Sequence, residues 1–446
     1  MFRWMIALFL GTIAGLSGPY YNSFADTLEA ALMNRVTVGA LINYAYLKNP
    51  SIRAVREEWK AAIENYRVVT GYPDPLLSLS YFPEPIETRL GPQDWNLTLS
   101  QTIPFPGKLS KSGEVAEAEA RIARLKLDKT VRDVIVSVRE TYHELLYIRE
   151  AKHVARENIR LLNHLRKVGE TAYAEDRAAL LDMVKAQSQM GQLRYDLLLL
   201  EELEETEKTR LNSLLDRKPD AEIGELEKDI FRPVVFDLEE LYQLAEENQE
   251  EILMAEVEVQ KAGAKVDLAR YQNLPEFKIG VFYGSIGHPD VMKPPPDEGR
   301  DAVGVQVGMT LPLWFGKNSG RAERAHAQME TTKAVKATRI NKAHEEIRTR
   351  FFRLKNAQRL IELYRGDLIP QAARAMELAE VWFRGGEASF SDFVETQAVW
   401  YNFQLSLARA QADYGKHLAL LERAAGRRIT HRDDRVKEQE REGVKE

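Results

Sequence analysis

The stretch SQTIPFPGKLSKSG, Ser100–Gly113, returns in altered form as GMTLPLWFGKNSG, Gly308–Gly320. Both run from alternating apolar residues through Pro and a short apolar segment with an aromatic to Gly-Lys, and then to Ser-Gly. The surroundings repeat as well. Thr37–Leu41 opens a helical pattern, as Asp237–Leu241 does, and Tyr72-Pro73-Asp74 stops it, as Leu274-Pro275-Glu276 does. YAEDRAALLDMVKAQ (Tyr173–Gln187) aligns with FRGGEASFSDFVETQ (Phe383–Gln397). The chain is therefore an internal duplication, reading helix, strand, loop, strand, long helix, break and helix, twice over.

Within each copy the apolar period switches twice. Residues 37–70 read as one helix with Thr37 as N-cap and Leu41, Ala45, Ile52, Val55 and Trp59 along one stripe. The period then becomes two. Leu77, Leu79 and Tyr81 alternate with serines, and Trp95, Leu97, Leu99, Gln101 and Ile103 share one face. A Pro/Gly/acid loop from Pro83 to Asp94 is expected between these strands. In the second copy Phe277, Ile279, Val281 and Tyr283 alternate, as do Val303, Val305, Val307, Met309 and Leu311. After each Gly-Lys the helical period returns, with Val131, Val134, Val138 and Leu145 at coiled-coil-like spacing and no Pro from Ser110 to Arg217. Breaks are expected at Gly169–Asp176 and at Gly385-Gly386.

The expected organisation is a signal peptide over 1–25, a first repeat over 26–230 and a second over 231–428. The first carries strands near 76–83 and 95–103 and helices over 108–216; the second carries strands near 276–285 and 303–312 and helices over 317–427. A charged tail, 429–446, is expected to be disordered. The signal peptide rests on Arg3, the apolar stretch Trp4–Leu16, and Ser23 and Ala25 at −3 and −1 of a cut before Asp26. No later apolar run approaches the ~20 residues a spanning helix needs. A net charge of −6 speaks against a nucleic-acid partner. The absence of Cys excludes disulfides, thiolate metal sites, a Cys nucleophile and a lipid-modified N-terminal Cys.

The strands therefore carry the membrane argument. They have one apolar face, one small and polar face, and aromatics near their ends: Tyr81, Phe82, Trp95, Phe105, Phe282, Tyr283, Trp314 and Phe315. Those are the features of outer-membrane β-strands. Hairpins packed on a soluble core would show similar faces, so a periplasmic coiled-coil scaffold or adaptor is the alternative. Four strands cannot close a barrel, and an open sheet edge in lipid leaves backbone groups unpaired. Several chains would then share one barrel, and three would supply twelve strands.

The signal peptide, the duplication and the Pro–x–Gly-Lys junctions together resemble TolC-type outer-membrane efflux channels. The QTIPFPGK version is similar to the branch serving heavy-metal and other resistance-type pumps. The resemblance covers about residues 30–428. It implies a mainly α fold with a membrane β-barrel part: a homotrimer sharing a twelve-stranded barrel and a twelve-helix periplasmic tunnel. It further implies outer-membrane lipid around the barrel, a periplasmic adaptor (membrane fusion) protein and an inner-membrane pump of RND type. The cell would be of Gram-negative type. A passive duct of this kind is no enzyme and takes no cofactor.

The resemblance also assigns residues. The breaks become periplasmic tips, where Gly169, Gly385 and Gly386 would serve as hinge or adaptor-docking positions. Asp392 and Glu395, three apart on one helix face, would line the closed aperture with Asp182 and Phe383. Ala388 stands where the family has an arginine, which departs from the usual latch. Spacing alone also fits acids that merely complement a helix start capped by Ser389 or Ser391. Pro104, Gly107 and Lys108, and Pro312, Gly316 and Lys317, mark where the chain leaves barrel for tunnel. There Pro would end strand pairing and Gly would permit a sharp redirection. The eight histidines form no i, i+4 pair, and only His288 with Asp290 and Met292 hints at a metal. No Walker, triad or dinucleotide motif appears.

Overall fold

The computed structural model describes residues 29, 32–174, 180–228, 232–293, 295–385, 387 and 389–430; of 165, 172, 180–182, 384 and 390 it describes the backbone alone. The expected signal peptide and almost all of the charged tail lie outside the described residues. The elements are β1 (Arg35–Val36), α1 (Val38–Lys48), α2 (Pro50–Thr70), β2 (Leu76–Thr88), β3 (Gly91–Ile103), α3 (Lys108–Ala174) and α4 (Leu180–Leu214). The second copy gives β4 (Glu225–Leu226), α5 (Leu238–Asn248), α6 (Glu250–Tyr271), β5 (Phe277–Ile286), β6 (Ala302–Met309) and α7 (Phe315–Leu363). A π-helical segment (Tyr364–Leu368), α8 (Ile369–Gly385) and α9 (Phe390–Ala424) complete it. No helix among the described residues is long and apolar enough to cross a membrane.

The chain divides into two compact units, and both repeats contribute to each. One unit comprises residues 55–127 and 251–340 and holds a four-stranded sheet in the order β2-β3-β5-β6, antiparallel throughout. The strands of the first copy are longer than their alternation suggests: β2 and β3 run through the expected Pro83–Asp94 loop. The register shifts between Tyr81 and Ile86, which places Pro83 and Pro85 at a bulge on an edge strand, where a missing N–H breaks no ladder. Gly91 closes the turn at φ +137°, and the neighbouring loop pins it through Gly287 N–H to Pro92 O at 2.7 Å and Gly299 N–H to Leu90 O at 2.8 Å. The β6 strand ends at Met309, so Leu311 and Pro312 lie beyond it.

The other unit comprises residues up to 54 with 128–250 and 341 onward. Its expected single helix over 37–70 is instead two. Asn49 accepts from Ser51 N at 2.9 Å and Ile52 N at 3.2 Å, so it caps a new helix that has Pro50 at its first position. A parallel ladder joins β1 to β4, and the Tyr142 hydroxyl donates to the backbone carbonyls of Val36 and Glu227. One apolar cluster gathers Leu241, Ile347, Leu354, Leu418 and Leu421. Ile429 belongs to it and is fully buried, accepting from Val235 N at 3.3 Å; the expected tail therefore begins too early, because this apolar side chain has a core to enter.

Candidate functional site

Register sorts the sheet's side chains into two faces. Leu77 pairs with Leu99, which pairs with Val281, which pairs with Val305; Leu79, Leu97, Tyr283 and Val303 form the next row. The opposite face carries Ser78, Thr98, Phe282 and Gly304 in one row and Leu76, Ser100, Gly280 and Gln306 in another. Leu77, Leu99, Val281 and Val305 are between 47% and 71% exposed, so none of the described residues covers this ladder. On the polar face the Phe282 ring fills the space beside Gly304, where a Cβ would come within 2.3 Å of Cε1. At the sheet's edges, β2 and β6 each have one side without a partner strand among the described residues.

The two Gly-Lys junctions differ. Gly107 has φ +91°, and a Cβ there would lie 2.7 Å from Tyr271 Cε1. Pro104 is buried, the Phe105 ring stacks on Phe277 at 6.5 Å, and Lys108 forms an ion pair with Glu276, whose N–H donates to Thr310 Oγ1 at 2.7 Å. Gly316, by contrast, lies inside the first turn of α7 with open space around it, so no redirection there requires glycine. The turn comes earlier, at Leu311–Trp314, with Leu313 N–H bonded to Leu311 O at 2.9 Å. Pro312 O accepts from Asn318 Nδ2 at 3.3 Å, and Lys317 is exposed.

At the expected tips, Gly169 lies inside α3, buried, and the helix continues to Ala174; a glycine in a buried helical position is tolerated where packing favours a small residue. Gly385 is the last residue of α8, and Gly386 and Ala388 lie outside the described residues. Asp182 stands in the first turn of α4, and its side chain is not described. Phe383 is 8% exposed and packs with Leu162, Met190, Phe393 and Tyr401, so in the protomer its ring fixes the end of α8.

Asp392 completes a capping box. Ser389 Oγ accepts from Asp392 N at 3.2 Å, while Asp392 Oδ2 accepts from Ser389 N at 3.0 Å and from its hydroxyl at 2.8 Å. The Ser389 hydroxyl and then its N–H hold the Asp392 carboxyl below the usual aspartate range, and Lys185 adds to the effect. Lys185 reaches across to Ser391 Oγ at 2.9 Å. Sequence reasoning missed this lysine, although the alignment of Tyr173–Gln187 with Phe383–Gln397 sets Lys185 opposite Glu395, and Asp182 opposite Asp392. Glu395 is exposed on α9. Among the described residues no group of three His, Cys, Asp or Glu could hold a metal, and the His288 ring packs against Gly299.

The sequence matches the pattern of a family described as outer membrane efflux protein over residues 41–216 and 241–427, one segment in each repeat. No curated protein matches the chain. Among solved structures, the outer membrane protein VceC of Vibrio cholerae is similar with a TM-score of 0.73 at 20% identity, over 88% of this chain and 96% of that one. The CmeC outer membrane channel of Campylobacter jejuni follows at 0.71 and 14%, over 90% and 88%. The open state of the MtrE outer membrane channel of Neisseria gonorrhoeae gives 0.68 and 16%, over 89% and 91%.

Proposed function

The chain belongs to the outer membrane efflux protein family, and from that premise we propose that it is the passive exit duct of a tripartite efflux or type I secretion-like system. Three copies share a twelve-stranded barrel in the outer membrane and a helical tunnel in the periplasm. A periplasmic adaptor and an inner-membrane pump of RND type deliver metal ions, drugs or other small molecules. The observation that carries this reading is the uncovered apolar ladder on a sheet with two open edges. In water such a face would be an aggregation surface. In a bilayer it is the correct exterior, provided β2 of one copy pairs with β6 of the next so that no backbone group is left in lipid.

In the same reading Asp392 and Glu395 ring the periplasmic aperture, with Asp182 near them, and three symmetric copies make a constriction that attracts cations. Gly385 and Gly386 lie at the tip where the adaptor docks. Residues 1–25 direct export and are removed. The test is fractionation of the expressed full-length chain, followed by light scattering of the detergent-solubilised species. An outer-membrane species with the mass of three protomers is expected. A water-soluble periplasmic monomer would overturn the duct and favour a scaffold.

A further inference from the structure

The two repeats differ by one residue along their long helical arms. Buried Val138 is matched by Ile347 and Leu145 by Leu354. Further along, Leu162 is matched by Ala372, and beyond the tips Leu211 by Leu421 and Leu215 by Ala425, all buried and all spaced one residue wider. The second repeat therefore holds one more residue between Leu354 and Ala372 than the first holds between Leu145 and Leu162. The longer interval holds the π-helical segment Tyr364–Leu368, in which Ile369 N–H donates to Tyr364 O, with Leu363 and Ile369 both in regular helical conformation. A π turn absorbs one extra residue, which would otherwise rotate everything beyond it by about 100° and turn the buried stripe away from its core. Pro370 follows at once. It has no N–H to give, and in a regular helix its ring would press on the carbonyl of Gly366. The arm of the first repeat has neither proline nor π turn: α3 is continuous from Lys108 to Ala174.

The segment also borders a partly open cavity. A cavity of about 240 Å³ is lined by Arg365 of the π turn and Ile361 just before it, by Ala408, Ala412 and Gly415 of α9, and by His143 of α3. Tyr364 packs against Phe403 of α9, the rings tilted at 51° with centroids 5.8 Å apart. A helix with a weakened hydrogen-bond ladder beside a cavity, where few side chains press on it, can bend there.

We propose that Tyr364–Leu368 is a hinge, at which α8 flexes relative to α7 in the second repeat while the first repeat's arm stays a single rigid helix. The hinge stands on the protomer alone; any part it plays in passage rests on the exit-duct reading. Hydrogen exchange on the full-length protein in detergent tests it. The amides of 364–372 should exchange at least about tenfold faster than those of 155–162. Deleting Gly366 together with Pro370→Ala, which restores an unbroken ladder in the original register, should bring the two segments level. Equal protection in the wild-type protein would overturn the hinge. Should the deletion variant fail to assemble, Ala412→Leu fills the cavity instead. Slower exchange at 364–372 then supports the hinge, and unchanged exchange overturns it. Bilayer recordings of the same proteins separate the two readings: the absence of any channel counts against the duct, while the exchange rates still decide the hinge.

Discussion

At Gly107 the backbone occupies φ +91° with Tyr271 pressed against the position a Cβ would take, whereas Gly316 meets open space in a helical turn. The two glycines hold the same place in the repeated motif and have opposite physics. Gly107→Ala should destabilise the protein by about 1–3 kcal/mol; Gly316→Ala should be neutral or stabilise it by up to about 1 kcal/mol. Thermal unfolding of the two variants in detergent checks this, and equal effects would contradict it. A second residue-level case is His417. It is partly buried, and burial pushes its pKa below the ordinary 6.5; Asp413 opposes the shift, and Arg350, Arg353 and Lys416 reinforce it. The folded state therefore keeps the ring neutral when the unfolded chain would protonate it. Its contribution to stability is complete above about 6.5 and is lost as pH falls through that value toward the folded pKa. The drop in unfolding temperature between about pH 7.5 and pH 5.5 should be smaller in His417→Gln than in the wild type. An identical drop would mean that this ring does not carry the dependence.

Among the elements, the sheet makes the sharpest demand on its surroundings. Val305 and Gln306 are adjacent on β6 and face opposite ways, in rows with Val281 and with Gly280. Val305→Arg should cost about 2–4 kcal/mol if that face meets the bilayer midplane, and Gln306→Arg should be tolerated. The yield of folded, detergent-resistant oligomer from outer membranes measures the difference; equal yields would place neither face in lipid. The faces were legible in the sequence because the strand period of two leaves no ambiguity about which residues point together. The strand ends were not, since Pro83 and Pro85 read as loop residues and only a bulge on an edge strand accommodates them. Likewise Asn49 hid a helix boundary inside one amphipathic stripe, because a cap costs the apolar period nothing. The added residue in the second arm is visible only when anchors on both sides of it are compared. The helical period by itself does not reveal a π turn, which preserves that period on either side.

For the whole molecule the test turns on Asp392, because its capping role and the aperture role proposed for it would be confused by a single substitution. Its carboxylate closes a capping box with Ser389, which is a matter of stability, and in three symmetric copies it would also set the charge of a constriction. The box tolerates Glu or Gln at this position, since either side chain can accept from the cap N–H. Asp392→Gln should therefore keep the cap and remove the charge, while Asp392→Ala removes both and costs up to about 1 kcal/mol of helix stability. If the aperture reading holds, both variants lose cation preference to a similar degree, and only the alanine variant unfolds earlier. Reversal potentials under a salt gradient, recorded beside melting curves, read the two effects separately. Lys185 supplies a further control. It lies close enough to depress the Asp392 pKa, so it offsets part of the acid's charge. Lys185→Gln should then raise cation preference, opposite in sign to Asp392→Gln. A glutamine at 392 that lowers stability but leaves selectivity untouched would reduce Asp392 to a helix cap, and the constriction would have to be sought elsewhere along the tunnel.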